Sequence, residues 1–267
     1  MRWTSPLSRT DAANPRSYKD NSADSTTGNI NGHIIRFRES VSDPTALSFA
    51  WDIYVFGAET DDLSNTNVNL PGLTAENFLS SPDGLWFSEK TGIMYIQTDD
   101  GAFTTETGGS TCMLLAAIPG TVGDGSTVSV TNTLGSDTKT VTTKVGKVGQ
   151  LKRLLTGPIE SEITGITESY DGKALFINIQ HPGEKTTSSS APYTSSWPYP
   201  NSTTLDGNPP TGATKSYRPR SATIVLTRID GGTIGTDFTL YWFKTTLRAL
   251  VRIVKVLPAP FLLWWGG

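Results

Sequence analysis

The sequence is poor in cysteine, in basic charge and in helical periodicity, and each shortage closes off something. Its single cysteine, Cys112, excludes an intrachain disulfide and a thiolate metal cluster. Cys112 opens the apolar run "CMLLAAI" and reads as a small buried core residue. A net charge of −3 and a pI near 5.4 provide no broad basic surface for phosphate backbones, which disfavours general nucleic-acid binding. The first residues, "MRWTSPLSRTDAANPR", hold no apolar stretch of the kind that directs export. Either the protein stays where it is made or an addressing segment is missing from the sequence, and the residues alone assign no compartment.

What is there has the texture of an all-β protein. Gly 26 and Pro 16, with many Ser, Thr and Asn residues, punctuate short runs rich in Val, Ile, Leu, Phe and Tyr. The runs read as strands over 33–39, 49–57, 84–88, 93–98, 112–118, 150–157, 162–169, 174–180 and 221–229. A chain of 267 residues buries a sizeable core, as one large all-β unit or two ordinary domains.

Two stretches echo each other. "PDGLWFSEKTGIMYIQT" begins with an acid, forms a strand, turns at Gly92 and returns; "EITGITESYDGKALFINIQ" does the same, turning at Asp171-Gly172. Asp83 and Glu162 fall at the same place in the two hairpins, 79 residues apart, which is long for a propeller blade of about 40–50 residues. The excess lies in 119–149, whose Gly/Ser/Thr-rich alternation reads as an inserted hairpin protruding from the blade. With it set aside, the strands form the outer half of one blade (33–57), a whole blade (84–157) and the inner part of a third (162–229). The expectation is a partial β-propeller arc of about three blades over 1–237, with insertions at 119–149 and 185–220. The second insertion is rich in Pro, Ser and Thr and reads as an exposed loop. Its Asn201-Ser202-Thr203 sequon is too short a motif to carry weight.

Residues 238–267 form an amphipathic basic tail. In "FTLYWFKTTLRALVRIVKVL" the cations Lys244, Arg248, Arg252 and Lys255 recur at spacings that line one face of a helix. Four charges argue against a membrane-spanning helix. The tail reads as an interfacial anchor resting on acidic lipid over 238–257, as a helix packed on the barrel or a partner, or as a non-native extension. An unclosed arc also exposes strand edges, so self-association through them is expected unless the tail covers an edge.

The motifs "DAANPR", "GHIIRF", "SPDGLWF" with "IQTDDG", "LLTGP", "EITGIT", "DGKALFINIQHPGE" and "RPRSATIVLTR" occur here in one order. On them the chain resembles the PhoX-type alkaline phosphatases, secreted bacterial β-propeller phosphatases, over about residues 10–235. The resemblance is to the C-terminal part only. It implies a piece of a six-bladed propeller, hydrolysis of phosphate monoesters, calcium and iron ions in the central channel, and a periplasmic or extracellular setting. It also implies Asp83 and Glu162 as metal ligands. Hard cations take oxygen ligands, and a cation at that spot balances a carboxylate whose burial is otherwise costly; the plainer alternative is that each acid caps a turn. His181, in the turn "HPGE", is a candidate to touch substrate or metal, against the alternative of a structural histidine at a strand end. Glu160 and Ser161 stand where relatives carry Gly and Cys, and Ser88 where an Asp is usual, departures expected to loosen the metal site.

Two carboxylates do not hold a multi-ion cluster, so the chain is expected to be a fragment or truncated relative of a phosphomonoesterase, incomplete for catalysis alone. The alternatives are a non-catalytic propeller-like binding module that engages a partner through 119–149 and 185–220, and a different calcium-dependent propeller hydrolase such as a lactonase or esterase.

Overall fold

The computed structural model describes residues 6–18, 28–100, 112–187, 192–198 and 217–236, and the backbone of 251–258. Among these residues the regular structure is strand, apart from single 3-10 turns at Pro6–Arg9 and Thr60–Asp62. The strands are β1 (His33–Arg38), β2 (Ala50–Phe56), β3 (Pro82–Phe87), β4 (Met94–Thr98), β5 (Met113–Ile118), β6 (Ser126–Leu134), β7 (Asp137–Val145), β8 (Gln150–Thr156), β9 (Glu162–Glu168), β10 (Ala174–Gln180), β11 (Ala222–Arg228) and β12 (Val251–Pro258). They make three four-stranded sheets, ordered β1-β2-β7-β6, β3-β4-β5-β8 and β9-β10-β11-β12. Four strands per sheet is the make-up of a propeller blade, and the fold is a partial, propeller-like all-β one. No helix among the described residues is long and apolar enough to cross a membrane. The chain divides into two compact units: one takes in the described residues up to Pro82 and 117–153, the other 83–100, 112–116 and those from Leu154 onward.

In the first unit the sequence expectation for 119–149 is corrected. The segment is a hairpin, turning at Gly135 with φ +60, but it does not protrude. Strand β7 lies parallel to β2, with Ile53 opposite Val145 and the Gly146 N–H on the Ile53 carbonyl at 2.8 Å, so the outer half-blade of 33–57 becomes a full four-stranded sheet. The reason is a buried face. Val130, Asn132, Val141 and Thr143 alternate inward, and a hairpin with one buried face needs a cover. The N-terminal segment provides it: Asn132 accepts the Ser17 N–H at 2.7 Å and donates to the Pro15 carbonyl at 2.8 Å, and Thr143 Oγ1 donates to the Ala12 carbonyl at 2.5 Å.

Two arginines lock this unit. Arg36 on β1 meets Asp52 on β2 with two bonds, Nε to Oδ1 at 2.6 Å and Nη2 to Oδ2 at 3.0 Å, and reaches Asp124 Oδ1 at 2.5 Å. It also donates to the Pro119 carbonyl. Arg16 is buried, with its guanidinium over the rings of Phe56 and Tyr18 at 4.5 and 5.0 Å.

The core of the second unit follows the period of two that strands impose. Tyr95, Cys112, Leu114, Ala116, Leu175, Ile177, Ile179, Ala222, Ile224 and Leu226 point into one cluster, each large side chain contributing about 1.5–3 kcal/mol by burial. Cys112 is fully buried there, as its apolar run implies. Trp197 joins the same cluster, which corrects the reading of 185–220 as wholly exposed; Ser195 and Ser196 are buried beside it in the chain. The helical tail is corrected as well. Val251–Pro258 is strand β12, antiparallel to β11, with Ala222 opposite Pro258 and Arg228 opposite Val251. Val251, Ile253, Val254 and Val256 are β-branched, and that preference with an available sheet edge overrides the helical spacing of the cations. Residues 238–250, the rest of that predicted helix, lie outside the described residues.

Candidate functional site

Two hairpins of the second unit deliver the candidate site. In the first, the Ser88 N–H bonds the Ile93 carbonyl at 2.8 Å, which puts the turn at one end and the start of β3 beside the exit of β4 at the other. Asp83 is the second residue of β3 and Asp99 the first after β4. In the other, Glu162 opens β9 opposite Gln180, the last residue of β10, and His181 follows. The Gln97 side chain donates to the Ile163 carbonyl at 3.4 Å, tying β4 to β9. Chain topology therefore gathers Asp83, Asp99, Glu162 and His181 at one end of the two hairpins.

Their electrostatics show that the group is acid-rich. Burial pushes the Glu162 carboxyl above its ordinary range, with the negative charges of Asp99 and Asp83 adding to it and His181 opposing. Asp99 is also raised, by partial burial and then by Asp83, with Glu184 and Asp100 contributing. His181 Nε2 stands 3.3 Å from Glu162 Oε2, and its Nδ1 3.7 Å from Glu184 Oε2. Glu162 is buried, whereas Asp83 and Asp99 are exposed. No motif in the sequence marks Asp99 as a site residue; its signal is its place at the far end of the hairpin that Asp83 begins.

The turns that carry these groups are unusual. His181 has φ +37 and Glu160 φ +54, left-handed conformations that a residue with a Cβ adopts at a cost of roughly 1–2 kcal/mol. The His181 N–H is held by Ser221 Oγ at 2.9 Å, and Gly183, φ +74, donates its N–H to the Ile159 carbonyl at 3.1 Å. Glu160 is buried and its carboxylate is spent within the loop, accepting from Thr194 Oγ1 at 2.5 Å and from the Lys185 N–H at 3.0 Å. Ser161 Oγ donates to the Pro158 carbonyl at 2.8 Å. Ser88 lies at the turn end of its hairpin, where it donates to Glu168 and accepts the Lys90 and Thr91 N–H groups. These three positions are committed to holding turns.

Whether such a site fits a metal is a matter of donors and their number. Carboxylates are the oxygen donors that a hard cation seeks, but calcium takes six to eight oxygens. Among the described residues no three His, Cys, Asp or Glu side chains are drawn together closely enough to hold an ion. Asp83, Asp99 and Glu162 have the donor chemistry for part of a ligand set, but they are not drawn together into an ion site.

A family model described as Alkaline phosphatase PhoX matches residues 7–183, a span that contains Asp83, Asp99, Glu162 and His181. The structure of Pseudomonas fluorescens PhoX in complex with vanadate, a transition state analogue, is similar to this chain, with 29% sequence identity and a TM-score of 0.51. The likeness covers 80% of this chain and 29% of that one, so the chain spans less than a third of the solved relative's length. No curated protein matches it.

Proposed function

The chain belongs to the PhoX alkaline phosphatase family, and on that premise we propose that its acidic strand ends are part of the metal and substrate site of a phosphate monoesterase. The family is one of metalloenzymes, and calcium and iron are the ions its resemblance implies. Bound cations would neutralise phosphate oxygens and the charge developing on the leaving oxygen. This chain's own residues bind and orient. Glu162 and Asp83 would donate oxygens, with Asp99 completing the acidic face. His181 holds Glu162 in place and, being partly exposed, presents its imidazole to the phosphate ester. Three carboxylates are too few to fix a multi-ion cluster, so the chain alone is a weak catalyst or none.

The observation that supports this function is a carboxylate, Glu162, whose pKa is raised by burial first and then by the charges of Asp99 and Asp83, and which lies within the span that matches the family. The experiment is elemental analysis and p-nitrophenyl phosphate turnover of the purified chain with calcium and iron added, repeated on Glu162→Gln and Asp83→Asn. Metal uptake that falls in both variants, with any turnover falling alongside, is the expected result. Wild-type protein that takes up neither metal would overturn the proposal and favour a non-catalytic binding module.

A further inference from the structure

In the first unit a buried cation with no acid against it lies behind the wall of a cavity. The cavity holds about 470 Å³ and is lined by Arg9, Asn14, Ser17, Asn29, Gly32 and His33, among others. Arg16 is 1% exposed, and its Nη2 donates to two groups of that wall, Asn29 Oδ1 at 3.0 Å and the Gly32 carbonyl at 3.3 Å. Its remaining bonds go to the carbonyls of Gly57, at 2.9 Å, and Val68, and its Nε has no acceptor. Every acceptor is neutral. Among the described residues no carboxylate comes within ion-pair distance of Arg16. Asp62 acts on it only through space, its Oδ2 accepting instead from Asn31 at 3.1 Å.

Buried arginines normally sit against a carboxylate, because an uncompensated charge in a low-dielectric interior is costly. Here the positive field spills into the cavity wall. The His33 imidazole is held below its ordinary pKa, first by burial and then by the charge of Arg16. Arg9 adds a second cation to the lining. Asn29 donates to His33 Nδ1 at 2.8 Å and to Asn14 Oδ1 at 3.4 Å, which leaves the Asn14 amide nitrogen to donate elsewhere.

We propose that this cavity binds a small oxyanion, a phosphate or a carboxylate group, with Arg9 and Asn14 in contact and the buried Arg16 supplying field from behind. Cation-binding groups play no part in it, so it stands apart from the phosphatase function and succeeds or fails separately.

The test is calorimetric titration of the full chain with inorganic phosphate and, in a parallel arm, acetate, at constant ionic strength. Saturable binding with Kd of about 1 mM or tighter is expected. It should weaken at least about tenfold in Arg9→Gln, which alters an exposed side chain, and persist in Glu162→Gln. Binding of phosphate alone assigns a phosphate group; binding of acetate as well assigns the broader carboxylate class. Absence of saturable binding in both arms, or binding undiminished in Arg9→Gln, overturns the proposal.

Discussion

Replacing Arg36 by Met should cost the first unit about 3–5 kcal/mol, the usual loss when one partner of a buried ion pair is removed. The magnitude follows from what is left behind. Asp52 is 1% exposed and loses both of its guanidinium bonds, keeping only the Gly123 N–H at 2.6 Å. Asp124 fares better: its side chain is 22% exposed and it retains the Thr121 and Lys147 N–H groups at 3.1 and 2.9 Å, so water screens much of its charge. Nearly the whole penalty falls on Asp52, and domains of this kind are stable by only about 5–15 kcal/mol in total. The assay is urea unfolding followed by tryptophan fluorescence. Adding Asp52→Asn to the Arg36→Met background removes the stranded charge and should restore at least about half of the loss, a coupling that independent sites do not show. A loss below about 1 kcal/mol, the range of an exposed pair, or an absence of rescue, would refute the reasoning that Arg36 and Asp52 form a buried pair that locks β1 to β2.

Two more outcomes follow from the same structure. Asp99 and Glu162 have carboxyl pKa values raised in the folded chain, so their contribution to stability is complete below the ordinary carboxylate value of about 4 and is lost as pH rises through their raised values. Melting temperatures of Asp99→Asn should therefore gain on wild type between pH 4 and 7, and millimolar calcium should raise wild type more than the variant; parallel pH profiles would contradict this. Gly57→Ala drives a methyl into the Asn31 carbonyl oxygen and places it 3.1 Å from that of Leu79, both backbone. Stability should fall by about 1–3 kcal/mol as in other overpacked sites, and an unchanged melting temperature would show that the backbone gives way freely there.

Strands were legible because their signal is local. The expected runs 162–169 and 174–180 differ from β9 and β10 by at most a residue at one end, since alternation and turn glycines are read within a few positions. Partners were not legible. Nothing in "GTVGDGSTVSVTNTLG" says that its buried face will lie under residues 7–17, or that Arg36, 88 residues before Asp124, will tie it down. The tail is ambiguous for a related reason: Arg252 and Lys255, two of the four cations at helical spacing, share the eight positions of β12 with four β-branched residues, and a sheet edge decides between helix and strand only in the folded chain.

The candidate site shows where local reading stops being enough. Asp83 and Glu162 were visible as acids that open two similar hairpins, but Asp99 belongs with them through strand pairing and His181 through a turn whose φ no residue pattern announces. Glu160 is the instructive case. As a departure from glycine beside a ligand candidate, it invites the expectation of a looser site. In the structure it keeps the left-handed backbone that glycine would favour and adds a buried carboxylate that binds Thr194 and the Lys185 amide. Strained residues persist where surrounding bonds over-determine them, and those bonds here hold the turn that carries His181 and Glu184. Glu160 therefore combines a strained backbone with side-chain anchorage, and its carboxylate is bound within the loop by Thr194 and the Lys185 amide.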